Sequence, residues 1–386
     1  MPGTPGADDL APAGPDLAGP ELAEAELAEA GRAGPELVGR GTEVAAVQRL
    51  LGGGRLVTVT GLPGVGKTAV GLAAASAAAS AFADGSVLLR LEGLRDESLL
   101  PHTIAAALEL PDDFARGCLP VLAEQLRDRH LLLVLDTCEH LLGACAALIA
   151  ALLPPCPKLQ VLATSREPLR VPGELAIAVR PLRLADAVEL FGRRAAAAGV
   201  VLAPEQRAAV ASVCVQLDKL PLAIELAAVQ LADLQRDGAE RPLAALLAQL
   251  EAGHDVPRGD GEPGRHRTLR AAIGWSHELC TPSERLLWAR LSVFTGLFGR
   301  QDAQAVCASG QLPAETVAAG LSLLEERSVL LASQQRDGTP CFLLPITLRA
   351  YGRRMLRRLG QDEEFTGRHQ RWQDERRRPH DAPAGK

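Results

Sequence analysis

Apolar positions follow two rhythms along the chain. Between residues 36 and 182, short apolar runs alternate with longer stretches whose apolar residues recur at three- and four-residue spacing. The runs Arg55–Thr60, Ser86–Leu91, His130–Leu135, Lys158–Ala163 and Leu175–Val179 read as strands. The segments 69–82, 97–110, 119–129 and 139–153 between them read as helices. Continuous rather than alternating apolar character marks strands buried on both faces, as in a parallel sheet covered by helices on both sides. After Pro181 only the helical rhythm continues, over 184–199, 204–217, 221–234 and 241–251. Residues 252–267 are polar and turn-rich, which predicts a linker. Helical patterning returns over 268–360, where VLLASQQ and CFLLPI flank Asp337-Gly338 and predict a late hairpin. Helices closed by a hairpin are the outline of a winged helix.

The expected order is therefore an α/β nucleotide-binding domain over 36–182, a helical domain over 183–251, the linker, and a winged-helix domain over 268–360. Residues 1–35 are acidic and rich in Pro, Ala and Gly, which predicts a disordered tail. Residues 361–386 are Arg-rich and predict a basic disordered tail.

Composition narrows the function classes. Aromatics are 3% of the chain against 47% hydrophobic residues, so the cores are built from Leu, Val and Ala. The net charge of −6 argues against a dedicated nucleic-acid binder. The charge is uneven, however: Arg353, Arg354, Arg357, Arg358 and Arg376 to Arg378 crowd the end, either as solvated surface or as a non-specific DNA contact. Eight scattered Cys without a C-x-x-C pair form neither a zinc framework nor a disulfide scaffold, and read as reduced thiols. The N-terminal MPGTPGADDL has no signal-peptide character, and the longest apolar runs are too short to cross a bilayer. A cytoplasmic location without membrane contact is expected.

The candidate chemistry begins at Gly61-Leu-Pro-Gly-Val-Gly-Lys67-Thr68, which fits G-x-x-x-x-G-K-[ST] between a strand and a helix. Backbone N–H groups of such a loop and the dipole of the following helix hold phosphate. The candidate nucleotide contacts are Gly61, Gly64, Val65, Gly66, Lys67, Thr68 and Ala69, with Lys67 reaching the β- and γ-phosphates and Thr68 ligating Mg²⁺. Asp136, ending LLLVLD, is the second candidate Mg²⁺ group, or alternatively a helix cap with Glu139 three residues on. The residue after Asp136 is Thr137, where many hydrolytic relatives of this loop type carry a water-polarising Glu, so slow hydrolysis is expected. Arg166, at the end of LATSR, sits where a strand's carboxyl end meets the nucleotide, or is simply a surface Arg. Lys67, Asp136 and Arg166 are the candidate catalytic groups.

Taken in order, these motifs resemble the NB-ARC-type ATPases of the STAND class, and most of all the ATPase and winged-helix core of actinobacterial transcriptional regulators. ELVGRGTEV at 36–44 resembles the family's lead-in, which implies that Val38 and Arg40 lie near adenine. LDKLPLAIELAA at 217–228 resembles its GLPLA helix, which implies Pro221 near adenine, although Lys219 stands where the family has Gly. FLLPITLRAYG lacks the His that locks the ADP form in some relatives. Sensing repeats and a separate DNA-binding effector are not visible.

The resemblance implies an ATP/ADP switch linked to transcription, closed with ADP and opened or self-associating with ATP. A DNA-binding winged-helix regulator with an accessory ATPase and an AAA+-like remodelling enzyme are the alternatives. The expected recognition helix, 316–328, carries Arg327 but also Glu325 and Glu326, with Glu315 just before it. Acidic side chains repel DNA phosphate, so the helix either reads DNA or packs within the chain. Its Leu321, Leu323 and Leu324 are expected to be mostly core.

Overall fold

The computed structural model describes residues 37–110, 118–251, 269–334 and 339–377. The expected acidic tail, the linker 252–267, the hairpin tip Asp337-Gly338 and the last residues of the basic tail lie outside these.

Five strands form one parallel sheet: β1 (Leu56–Gly61), β2 (Ser86–Arg90), β3 (Leu132–Asp136), β4 (Gln160–Thr164) and β5 (Glu174–Val179), in the order β2-β3-β4-β1-β5. Each begins or ends within two residues of its predicted run. Side chains alternate between two apolar layers, as the pleat requires. Val57, Val59, Val134 and Leu162 face one layer, and Leu56, Leu133, Leu135 and Val161 face the other. The first layer is covered by α1 (Gly41–Gly53) and α2 (Lys67–Ala78). The second is covered by α3 (Leu100–Ala107), α4 (Cys118–Leu126) and α5 (Leu142–Leu152). The helix expected from residue 139 thus starts at Leu142. Thr137, with φ +69°, turns the chain first.

Four helices follow: α6 (Leu184–Ala197), α7 (Arg207–Gln216), α8 (Pro221–Arg236) and α9 (Pro242–Glu251). Proline at the first position of α8 and α9 suits a helix start, where the missing N–H has no partner to lose. Next come α10 (Leu269–Glu278), α11 (Pro282–Leu291), α12 (Arg300–Cys307) and α13 (Ala314–Glu326). The antiparallel pair β6 (Leu331–Gln334) and β7 (Pro340–Leu343) follows, and then α14 (Ile346–Arg358). Thr281 and Glu284 form a reciprocal capping box at the start of α11, with bonds of 3.3 and 2.8 Å. The hairpin packs back through Phe298, whose N–H donates to Phe342 O at 3.0 Å.

One expectation is overturned. Residues 362–377 form α15 (Asp362–Arg377), a helix docked on α12 and α14 rather than a disordered tail. Phe365 is fully buried beneath the guanidinium groups of Arg290 and Arg368, 4.3 and 4.9 Å from its ring centre. His369 and Trp372 pack edge-on against Phe294. Spacings of four and three residues put these rings on one face, so a narrow apolar stripe inside a highly charged sequence is enough to dock the helix. Leu323 of α13 is another difference: it is 40% exposed, while Leu321 and Leu324 are buried.

Candidate nucleotide site

The loop Gly61–Gly66 joins β1 to α2 at the carboxyl edge of the sheet. Gly64 and Gly66 have φ of +73° and +94°, a backbone that side chains with a Cβ resist, and Gly66 leads straight into α2. The loop therefore presents the N-terminal end of a twelve-residue helix to the space above it. Lys67 folds over the loop, and its Nζ donates to Gly61 O at 3.0 Å and Leu62 O at 3.2 Å.

Asp136 does not lie on a strand next to β1, because β4 runs between β1 and β3. Thr164, the last residue of β4, bridges the gap. Its hydroxyl donates to Asp136 Oδ1 at 2.5 Å and accepts the Thr137 N–H at 2.9 Å. Thr68 Oγ1 donates to the same carboxylate oxygen at 2.7 Å. The carboxylate is thus committed to the loop rather than to capping a helix. Cys138, just beyond, is buried, and its Sγ donates to Leu135 O at 3.4 Å. A hydrogen bond with Cys145, aided by burial, pushes its thiol pKa well up, so it is held as an inert thiol. All eight cysteines are free and buried.

Above the loop lies a cavity of about 450 Å³, within the size range of small-molecule and cofactor sites. Val38, Arg40, Gly64, Gly66, Lys67, Thr68, Ala69, Arg166 and Pro221 all lie on its wall. Gly61, Val65 and Asp136 stand behind it. The polar lining of the cavity includes Lys67, Thr68, Thr137, Glu139, Thr164 and Arg166, of which Thr68 and Thr164 share the Asp136 carboxylate and Glu139 pairs with Arg166. Its apolar lining includes Leu37, Val38, Leu182, Leu190, Pro221 and Leu222, and the Arg194–Glu225 ion pair at 2.9 Å also lines it.

Three features were not readable from the motifs. Arg40 is 4% exposed, and its guanidinium clamps the loop by donating to Val65 O and Arg180 O, both at 2.8 Å, besides pairing with Glu43. Arg166 Nε donates to Glu139 Oε1 at 3.1 Å, so the two form a buried pair. The helical segment closes one side: Leu222 N donates to Gly64 O at 3.2 Å, and Leu182 N to Lys219 O at 3.1 Å. Helical spacing from Pro221 would have found Glu225, four residues on. No local pattern announces the Arg40 bonds, because their partners are backbone atoms 25 and 140 residues away.

The residues present suit a magnesium-bound nucleotide. The Thr68 hydroxyl and Asp136 carboxylate are hard oxygen donors held together under the helix end. The polar and apolar groups on the cavity wall suit the phosphate and base portions of a nucleotide.

Residues 281–357 match a family model described as a winged helix-turn-helix domain. The chain is 37% identical over 325 residues to the Mycobacterium tuberculosis H37Rv protein named "Putative HTH-type transcriptional regulator Rv0890c". That match covers 82% of this chain but 35% of the relative, so the chain spans about a third of that protein's length. The ORC2 protein of Aeropyrum pernix, solved in ADPNP and ADP complexes, shares the fold with a TM-score of 0.50 at 14% identity, over 87% of this chain and 94% of that one. The protein named "Uncharacterized protein Rv0894", also of M. tuberculosis H37Rv, is 35% identical over 278 residues, covering 71% of this chain and 69% of the relative. This winged-helix, P-loop-ATPase-like chain belongs to the same family as Rv0894.

Proposed function

We propose that this chain is an ATP/ADP-binding switch of the NB-ARC kind of STAND ATPase, tied to transcription and opened or self-associated by ATP. The observation that carries the reading is the composition of one cavity. The phosphate loop, the strand-end Arg166 and the helical-segment Pro221 share its wall, so a nucleotide seated there touches elements whose relative placement it could change. Gly64, Val65, Gly66 and Ala69 offer backbone N–H groups to phosphate, with Gly61 shaping the turn. Lys67 and Arg166 supply positive charge, and Thr68 and Asp136 hold Mg²⁺. The metal, when bound, neutralises charge developing on the phosphates. Val38, Arg40 and Pro221 flank the base.

Slow hydrolysis follows from Thr137 in the position after Asp136, which offers no carboxylate to polarise the attacking water. Steady-state turnover below about 1 s⁻¹ is expected, against roughly 10 s⁻¹ for a typical enzyme. Lys67→Ala should weaken ATP and ADP binding about 10- to 100-fold, the loss expected for a charge-assisted phosphate contact. Fluorescent-nucleotide titration checks this, and unchanged affinity would remove the nucleotide reading.

A second reading, a DNA-binding regulator with an accessory ATPase, is favoured by the winged helix-turn-helix match and the name of the Rv0890c relative. Against base reading by α13, Arg327 donates to Leu279 O at 2.6 Å and faces Glu284 at 3.5 Å, while Glu315 and Glu326 are exposed. An AAA+-like remodelling enzyme would instead show fast turnover stimulated by a polymer.

A further inference from the structure

Arg166 belongs to two surfaces at once. Its guanidinium lines the cavity and is paired with Glu139, the two side chains being 6% and 8% exposed. Its backbone carbonyl accepts the hydroxyl of Ser328 at 2.7 Å, two residues past the end of α13. Four residues on, the Arg170 guanidinium pairs with Glu326 of the same helix. The segment between is stiff. The N–H groups of Leu169 and Arg170 donate to the two carboxylate oxygens of Glu174 at 2.8 and 2.7 Å, and Arg170 has φ +60°. Arg166 and the anchor points for α13 therefore form one short piece of chain.

We propose that Glu139 is an internal stand-in for the terminal phosphate of the nucleotide, and that segment 165–170 passes its displacement to α13. The inference rests on the nucleotide reading above. A buried guanidinium keeps an anionic partner, because leaving such a charge unpaired is strongly destabilising. Glu139 fills that role when no competing anion is present. ATP and ADP differ by one phosphoryl group, and a phosphate binds a guanidinium with charge-assisted bonds at least as strong as those of a carboxylate. A terminal phosphate that takes Arg166 from Glu139 shifts the strand end that carries the Ser328 and Glu326 contacts. ADP leaves the Glu139 pair, and hence the docking of α13, in place. A ligand moves an equilibrium only by its differential contact with the two states, and the Arg166 exchange supplies that difference.

The test uses the full chain with ADP and ATPγS. Hydrogen–deuterium exchange across residues 314–330 should be faster with ATPγS than with ADP in the wild-type protein. Glu139→Gln keeps the shape but removes the competing charge. It should raise the preference for ATPγS over ADP at least about fivefold, within the usual range of coupling between sites. Arg170→Glu, facing Glu326, should speed exchange in 314–330 with ADP bound while leaving ADP affinity within about twofold, since it does not line the cavity. Equal exchange with both nucleotides, or an unchanged ATPγS-to-ADP ratio in Glu139→Gln, would overturn this inference while the nucleotide reading stands. Failure of the wild-type protein to bind either nucleotide would overturn both.

Discussion

Lys219 illustrates how much strain a single position carries at the edge of the site. It and Asp218 both adopt left-handed backbone, with φ of +56° and +53°, in the turn that leads into Pro221. The turn forms without the glycine that the resembling family places there. Its carbonyl holds Leu182, and Pro221, two residues on, reaches the cavity wall. A side chain in this conformation costs about 1–2 kcal/mol, partly offset because glycine loosens the unfolded chain. Lys219→Gly is therefore expected to stabilise the protein by about 0.5–1 kcal/mol, read as a higher midpoint in urea denaturation. Asp218 beside it acts across the chain. Its carboxylate accepts the N–H groups of Ile346 and Thr347 and the Thr347 hydroxyl at 2.7–2.8 Å. It caps α14 from another segment and so ties the helical region to the winged helix. Burial raises its pKa against the pull of those bonds.

Among the elements, α15 departs most from its sequence pattern. Charge density suggested a solvated tail, but Phe365, His369 and Trp372 were enough to fold it against Phe294 and Arg290. The ion pairs Arg353–Asp362 at 2.8 Å and Arg376–Asp302 at 3.3 Å flank that seam, and as partly exposed pairs they add little. The apolar contact dominates. Phe365→Ala should cost about 3–5 kcal/mol. Limited proteolysis checks the attribution, with early cleavage within 362–377 expected in the variant and protection in the wild type. The strands were legible because a doubly covered parallel sheet needs unbroken apolar runs. Their order was not: β4 lying between β1 and β3, and hence the bridge from Thr164 to Asp136, depends on pairing between distant segments.

At the scale of the molecule, one apolar cluster runs from Val57 and Val59 of the sheet through Ile224 and Leu231 to Trp288, Leu321 and Leu356. The three regions are thus held by shared core as well as by polar contacts. Among the described residues no helix is long and apolar enough to cross a membrane. Acid should loosen the winged-helix end. Burial, helped by the Arg285 charge, lowers the pKa of His277 from 6.5 to about 4, among the rings of Trp288 and Tyr351. Burial and then Arg353 lower that of His369. At His277 the unfolded chain binds protons first, so this group's contribution is full above pH 6.5 and is lost as pH drops towards about 4, while the raised pKa of Asp218 acts in the opposite sense. Thermal melts over that window should show a falling Tm, with a shallower slope for His277→Phe. What the sequence by itself determined was chemistry and rhythm. The loop Gly61–Thr68 and the apolar strands are local signals, because a phosphate loop and a buried strand each constrain residues that are neighbours in the chain, whereas Pro221 was marked by the family resemblance of 217–228. Only the tertiary structure decided that Arg40 clamps the loop, that Glu139 holds Arg166, and that α13 rests on residues 166 and 170. Each of these joins groups far apart in sequence, often through backbone atoms that every residue possesses, so no side-chain pattern could announce them.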